Sequence, residues 1–390
     1  MSREVREALD TYNGLVTEPA YPAARAIAPR IYAQFAHHLA VAGAVEAELM
    51  QPETADIEAV IDTAFWASLR REEGYIPKIS IALLPPERAM QPLRFEHSLP
   101  LASGALVKVA PAVERRGIHL GVWRENGELR VWGTTRNVPN FCLVLEVAAP
   151  GLLVVKHHRG EVGKFINIAV LEGDQIKVID EAASSLPDCP SLLTSLLGFD
   201  TRQWPGGLNV LVELAVSIRA HGRGGSLLVV PSVSDEWLES IVRPISYAVQ
   251  PAFAALSDLV RRAPDEQDAS SWKDSFRDAI DAVAGLTAVD GATIINDRYD
   301  LVAFGAKILR RRGSPTVEQV VVTEPILGGS AEAVHPTRLG GTRHLSAAQF
   351  VHDQRNSLAL VASQDGRFTV FAWSPCEETV HAHRIETLLL

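Results

Sequence analysis

Two short stretches carry residue types that could do chemistry together. The first is Ala288-Val289-Asp290-Gly291-Ala292-Thr293-Ile294-Ile295, a lone carboxylate followed by the smallest residues and an apolar run. Gly291 can take backbone angles that other residues avoid, and it lets a ligand approach the main chain. The second, about fifty residues on, is Gly340-Gly341-Thr342-Arg343-His344, a small-residue turn ending in two cationic or protonatable side chains. A carboxylate for a divalent metal and an Arg-His pair at a helix start together suit a nucleotide. Asp290 fits a metal ligand better than a base, because an aspartate with a pKa near ~4 is a poor base at neutral pH. Arg343 offers forked donors to phosphate, and His344 with the first N–H groups of the helix adds to an anion pocket. Thr342 either caps the helix or donates its hydroxyl.

Positioning these residues needs strands and helices in alternation. Leu208–Ala220 reads as a helix with Leu211, Leu214, Ala215 and Ile218 inward, then a turn at 221–225 and a buried strand over Ser226–Val230. The glycines of that turn precede a strand and lack Gly-Lys-Ser/Thr, so they are no P-loop. Helical patterns are expected over 235–262 and 271–286, with an exposed loop at 261–266 between them. Asp290 then leads into a hairpin of Ala292–Ile295 and Leu301–Gly305, and a strand follows at Val317–Val322. The helix opening at Thr342 should turn Leu345, Ala348 and Val351 inward, with Phe350 beside them. Asp365-Gly366 between Leu358–Ala362 and Phe368–Trp373 predicts a second hairpin.

Ahead of this region, residues 2–70 carry helical stripes, Ile27, Ile31, Phe35 and Leu39 in one and Ile57, Val60, Ile61, Ala64, Phe65 and Leu69 in another. From about 76 to 180 the period changes to strand. Ile79–Leu84, Leu106–Val109, His119–Trp123, Leu129–Trp132, Cys142–Val147, Leu152–Val155 and Phe165–Val170 are the expected strands, with Asn126-Gly127 as a hairpin turn. Glu181–Gly207, with Pro187, Pro190 and Pro205, breaks the pattern. The expected division is therefore 1–185, a linker at 186–206, and 207–390. The fold class is α/β: a C-terminal mixed β-sheet flanked by helices, preceded by a helical and β-rich domain.

Composition bounds the function. The chain has 390 residues, 47% of them hydrophobic, with a net charge of −10. That acidity argues against a duplex nucleic-acid partner but not against a small anion held by a local cluster. No apolar run reaches the ~18–20 residues needed to cross a bilayer. The charged start has no apolar signal core, so a cytoplasmic location is expected. Cys142, Cys189 and Cys376 are scattered and read as reduced thiols. Three histidine clusters read as surface: His37-His38, the basic run Lys156-His157-His158-Arg159, and His381-Ala382-His383.

Asp290-Gly291-Ala292 before an apolar strand, followed by Gly341-Thr342-Arg343-His344 opening a helix, resembles the diadenylate cyclase domain. Gly224–Val230 upstream and Val361-Ala362-Ser363 downstream fit the same domain, and the resemblance covers about residues 205–390. It implies condensation of two ATP into cyclic di-AMP and two pyrophosphates, with Mg2+ or Mn2+ held by Asp290. Catalysis would involve Asp290, Arg343 and His344. The nucleotide would contact Gly291, Ala292 and Gly305 on one side. On the other it would meet Gly341, Thr342, Arg343, His344 and Ser363. The resemblance further implies self-association, two cyclase domains meeting face to face. The β-rich region before it resembles the sensor modules of the type called DACNV. Leu345 stands where the family's Arg-His-Arg signature has its second arginine, Val289 where a histidine is common, and the acidic cluster after the helix has no clear equivalent. A nucleotide-binding sensor that keeps the fold without turnover is therefore the alternative.

Overall fold

The computed structural model describes residues 18–42, 51–115, 117–159, 164–180, 209–262 and 270–390. The chain divides into two compact units, Met1–Val178 and Ile179–Leu390. The linker expected at 186–206, Cys189 and most of the 261–266 loop lie outside the described residues. Residues 179–180 already belong to the second unit: Ile179 bridges to Ile326, and the Asp180 N–H donates to the Pro325 carbonyl.

The first unit opens with helices α1 (Pro22–Ala42) and α2 (Thr54–Ser68), joined by a short helix α3 (Ser103–Val109). Its strands are β1 (Ser80–Leu83), β2 (Pro92–Pro100), β3 (Ile118–Glu125), β4 (Glu128–Arg136), β5 (Leu143–Ala149), β6 (Leu152–Arg159), β7 (Lys164–Glu172) and β8 (Gln175–Val178). They form one mixed sheet in the order β2-β4-β3-β1-β5-β6-β7-β8, with β1 and β3 parallel. The helical stripes read in the sequence are core except at Leu69, which lies past the end of α2 and is half exposed: Ile27, Ile31, Phe35, Ile57 and Ile61 pack on Ile81, Leu120 and Leu145. Asn126 and Gly127 both take positive φ in the β3–β4 turn, as that dipeptide demands.

Several expectations change here. Leu106–Val109 is helical, because Leu106 and Val107 dock beside Ala110 in the core and Pro111 follows at once. A four-residue apolar run cannot distinguish a helix from a strand by period alone. His38 is buried, with Nδ1 2.8 Å from Nε2 of the equally buried His157. Lys156 is also buried, paired with Glu146 and lying over the Phe165 ring. Lys156 and His157 are thus enclosed in β6, while His158 is partly exposed.

The second unit is a nine-stranded mixed sheet with helices on both faces. In chain order come α4 (Val210–Ala220), β9 (Gly225–Val230), β10 (Tyr247–Phe253), α5 (Ala255–Val260), α6 (Ser270–Leu286), β11 (Ala292–Asn296) and β12 (Leu301–Ala306). Then follow β13 (Val320–Thr323), β14 (Glu332–Val334), α7 (Thr342–Asp353), β15 (Leu358–Ala362), β16 (Phe368–Ser374) and β17 (Thr379–Arg384). The order across the sheet is β10-β12-β11-β9-β15-β16-β17-β13-β14. β9 shows why its sequence is continuously apolar: Leu227 and Val229 pack under α4 and α6, while Leu228 and Val230 face the core that contains α7.

The helix expected over 235–262 is replaced by a 3-10 turn at Glu236–Ser240, the edge strand β10 and the short α5. Pro244 and Pro251 remove helical hydrogen-bond donors, and an edge strand tolerates a proline. The histidines 381 and 383 lie buried in β17, with His383 Nδ1 2.7 Å from the Thr323 hydroxyl. They are not a surface tail. Among the described residues, no helix is long and apolar enough to cross a membrane.

Candidate functional site

Strand register gathers the two motifs at one end of the inner strands of the second sheet. β9 and β11 run parallel, with Leu227 opposite Thr293, so Gly224 and Gly291 precede neighbouring strand starts. β15 runs antiparallel to β9 and ends where β9 begins, Ala362 opposite Gly225. β12 runs antiparallel to β11, Ala292 opposite Ala306, so it finishes at the same end. The helices α6 and α7, which belong to opposite faces, deliver Asp290 and Arg343 there.

Glycine geometry makes this end close-packed. Gly291 has φ +116°, and a Cβ on it would sit 2.4 Å from the Gly305 carbonyl carbon. Gly305, at φ +61°, has the Tyr247 ring where its own Cβ would be, 2.7 Å away. Tyr247 is half exposed and stacked on Phe304, with ring centroids 4.8 Å apart. An aromatic face therefore lies one residue away from the backbone of Gly291.

Asp290 itself projects into solvent, its side chain 92% exposed. Lys307 donates to its Oδ2 at 2.5 Å. That hydrogen bond and the ammonium charge hold the carboxyl below its ordinary range, and the Arg343 charge and the Gly291 N–H lower it further. Arg343 is thus within electrostatic reach of Asp290. Its guanidinium lies over Gly224, Nη1 falling 2.9 Å from where a Cβ would be, beside the Ala362 carbonyl and the Gln364 side chain. Among the described residues no carboxylate closes an ion pair on the half-buried Arg343, so its charge is left unneutralised.

The remaining predicted positions divide. Gly341, not Thr342, is the N-cap of α7, with no side-chain cap bond, so the Thr342 hydroxyl is free of that role and exposed. Ser363 closes the β15–β16 turn, its N–H donating to the Arg367 carbonyl at 2.9 Å. Ala292 is buried as the first residue of β11 and can offer only main chain. His344 departs from expectation. It is 2% exposed, packed on Gly340 and edge-on to Phe371, and burial pushes its pKa down. The ring is enclosed, and its Nε2 is a buried atom without a hydrogen-bond partner among the described residues. Leu345, read as inward, is only half buried, and His344 with Ala347 takes the inner face.

Lys307 was not singled out from the sequence. The hairpin itself holds the signal: once Ala292 pairs with Ala306, Asp290 and Lys307 both lie just beyond the pair on adjacent strands. Tyr247 had no signal, because its segment read as helix.

The donor set bears on a metal. Among the described residues no cluster of three or more His, Cys, Asp or Glu side chains could hold an ion. One exposed carboxylate does fit a magnesium or manganese ion carried in by phosphates, since such ions keep most of their water and take one or two carboxylates.

Residues 46–136, all in the first unit, match the family described as a probable sensor domain, DACNV. The match places a sensor-type module in the stretch from before α2 to β4. Among solved structures, the crystal structure of a hypothetical membrane spanning protein from Bacillus cereus is similar at 16% identity, over 44% of this chain and 60% of that one. The chain thus spans less than two thirds of that structure, and the TM-score of 0.25 is too low to support a shared fold. No curated protein matches the chain.

Proposed function

We propose that the second unit is a diadenylate cyclase domain, condensing two ATP into cyclic di-AMP and two pyrophosphates, with the first unit as its sensor. The observation that carries this reading is the unneutralised Arg343 guanidinium within electrostatic reach of Asp290 at one glycine-lined end of the sheet. The sensor-family match supports the regulatory half of the reading.

Asp290, kept ionised by its cationic neighbours, is suited to hold Mg2+ or Mn2+ rather than to take a proton. Bound there, the ion would neutralise phosphate charge and lower the pKa of the attacking ribose 3′-hydroxyl. Arg343 would donate a fork of hydrogen bonds to the α-phosphate region, where charge grows in the transition state. The uncapped N–H groups at the start of α7 and the Thr342 hydroxyl add donors on the same side. Gly291 and Gly305 admit the nucleotide to the main chain, and Tyr247 offers an exposed ring beside them. Each chain carries one such set, in its second unit, so joining two nucleotides requires two copies of the chain to face each other.

Incubating the full chain with ATP and Mn2+ and separating the products tests the reading. Cyclic di-AMP and pyrophosphate are expected, and both should vanish in Asp290→Asn. Leu345 in place of a second arginine and the enclosed His344 favour a second reading, a nucleotide receptor without turnover. Saturable ATP binding with no product would select it.

A further inference from the structure

The pairing of Asp290 with Lys307 is fixed by backbone, not by chance contact of two long side chains. β12 is held against β11 up to Ala292–Ala306, and Gly291 packs on the carbonyl of Gly305. Beyond the strand, the Lys307 carbonyl accepts from the Val242 N–H at 2.9 Å, and Ile308 bridges to Ile241. The Lys307 backbone is therefore held on both sides, and that of Asp290 on the side of Gly291. Lysine's flexible stem can then bring the ammonium to the carboxylate or swing it away.

We propose that Lys307 is a built-in competitor of the metal, an ammonium that holds the Asp290 carboxylate until a divalent ion displaces it. This rests on the reading of Asp290 as the metal ligand. A magnesium-like ion sits ~2.0–2.1 Å from a carboxylate oxygen, closer than an ammonium nitrogen can approach. Cation and ammonium cannot share that oxygen from the same direction, and their charges repel. Both partners are largely exposed, so water screens the pair and the competition is modest. The physical consequence is selectivity for a metal delivered with phosphate. The negative charge of a triphosphate offsets the repulsion, whereas a bare ion meets it in full.

Titrating Mn2+ alone onto the full chain, and counting free ion by electron paramagnetic resonance, tests this. The part of the binding lost in Asp290→Asn belongs to this carboxylate. Lys307→Met should tighten that part about two- to fivefold, the range expected for an exposed pair. Lys307→Arg, which keeps the charge, should stay near the wild-type affinity. Unchanged or weaker binding in Lys307→Met, with the Asp290-dependent part intact, overturns the competition and leaves the cyclase reading standing. No Asp290-dependent binding in either wild type or Lys307→Met overturns the metal role of Asp290, and this proposal with it.

Discussion

Asp290 and Arg343 differ in where their charges are compensated. The carboxylate already has a counter-ion in Lys307, whereas the guanidinium has no carboxylate of its own among the described residues. On the proposed cyclase reading, phosphate is the partner of Arg343. Arg343→Ala should lower cyclase kcat/KM by about 10²–10³, the usual effect of deleting one donor to developing charge. Arg343→Lys should restore only part of it, because a point charge lacks the planar fork. Equal rates for Arg343→Ala and wild type would remove the residue from the site. At this scale the sequence singled out Asp290 and Arg343, which the fold leaves exposed and half buried. It carried no sign that His344 is enclosed, since a histidine next to an arginine bears no mark of which way the helix turns it.

Elements hold the site through glycine contacts that tolerate little. Gly291 combines a positive φ with a backbone carbon 2.4 Å from any added Cβ. Gly291→Ala should therefore lose about 2–4 kcal/mol of stability, strain and clash together, seen as a lower midpoint in chemical denaturation. Gly340→Ala acts differently. Its φ is ordinary, but the new Cβ would lie 2.5 Å from Nδ1 of a ring that is itself enclosed. The start of α7 must shift, so ATP affinity should fall several-fold while the first unit's melting is unchanged. Unaltered affinity would mean that α7 does not contact the nucleotide.

The hairpins at Asn126-Gly127 and Asp365-Gly366 and the helix α6 were legible from turn chemistry and period. The segment 235–262 was not, because its apolar spacing imitates a helix and only Pro244 and Pro251 speak against one. Strand β2 was equally silent. Its residues are mostly exposed, so there was no buried face to produce an alternation.

Across the whole molecule, buried histidines set an acid limit on stability. Burial pushes His119 in the first unit down to about 4 and His383 in the second down to about 3. In the unfolded chain both titrate near ~6.5. Above that pH neither group affects stability. Below it the unfolded chain takes up a proton that the folded one refuses, so stability falls by about 1.4 kcal/mol per pH unit per histidine. The slope from His119 ends near its folded value and that from His383 slightly lower. Melting temperatures should drop steadily from pH 6.5 to 4, and His119→Asn should flatten the drop for the first unit alone. A melting temperature that does not move over this range would contradict the buried, neutral state of both rings. The change of period near residue 76 falls inside the first unit, where the helices pack on the strands; the division after Val178 lies just before the stretch that breaks the strand pattern. The burial of His38 on a helix and of His157, His381 and His383 on strands was not readable, because a polar residue on either element carries no mark of which face it takes.

The most direct measurement is a crystal structure of the full chain with Mn2+ and a non-reactive ATP analogue, the ion located by its anomalous scattering. The expected result is one manganese on Asp290 with the Lys307 ammonium moved off, and the phosphates of that nucleotide within hydrogen-bond distance of Arg343. A nucleotide bound elsewhere, or phosphates that leave Arg343 in solvent, would contradict the shared site.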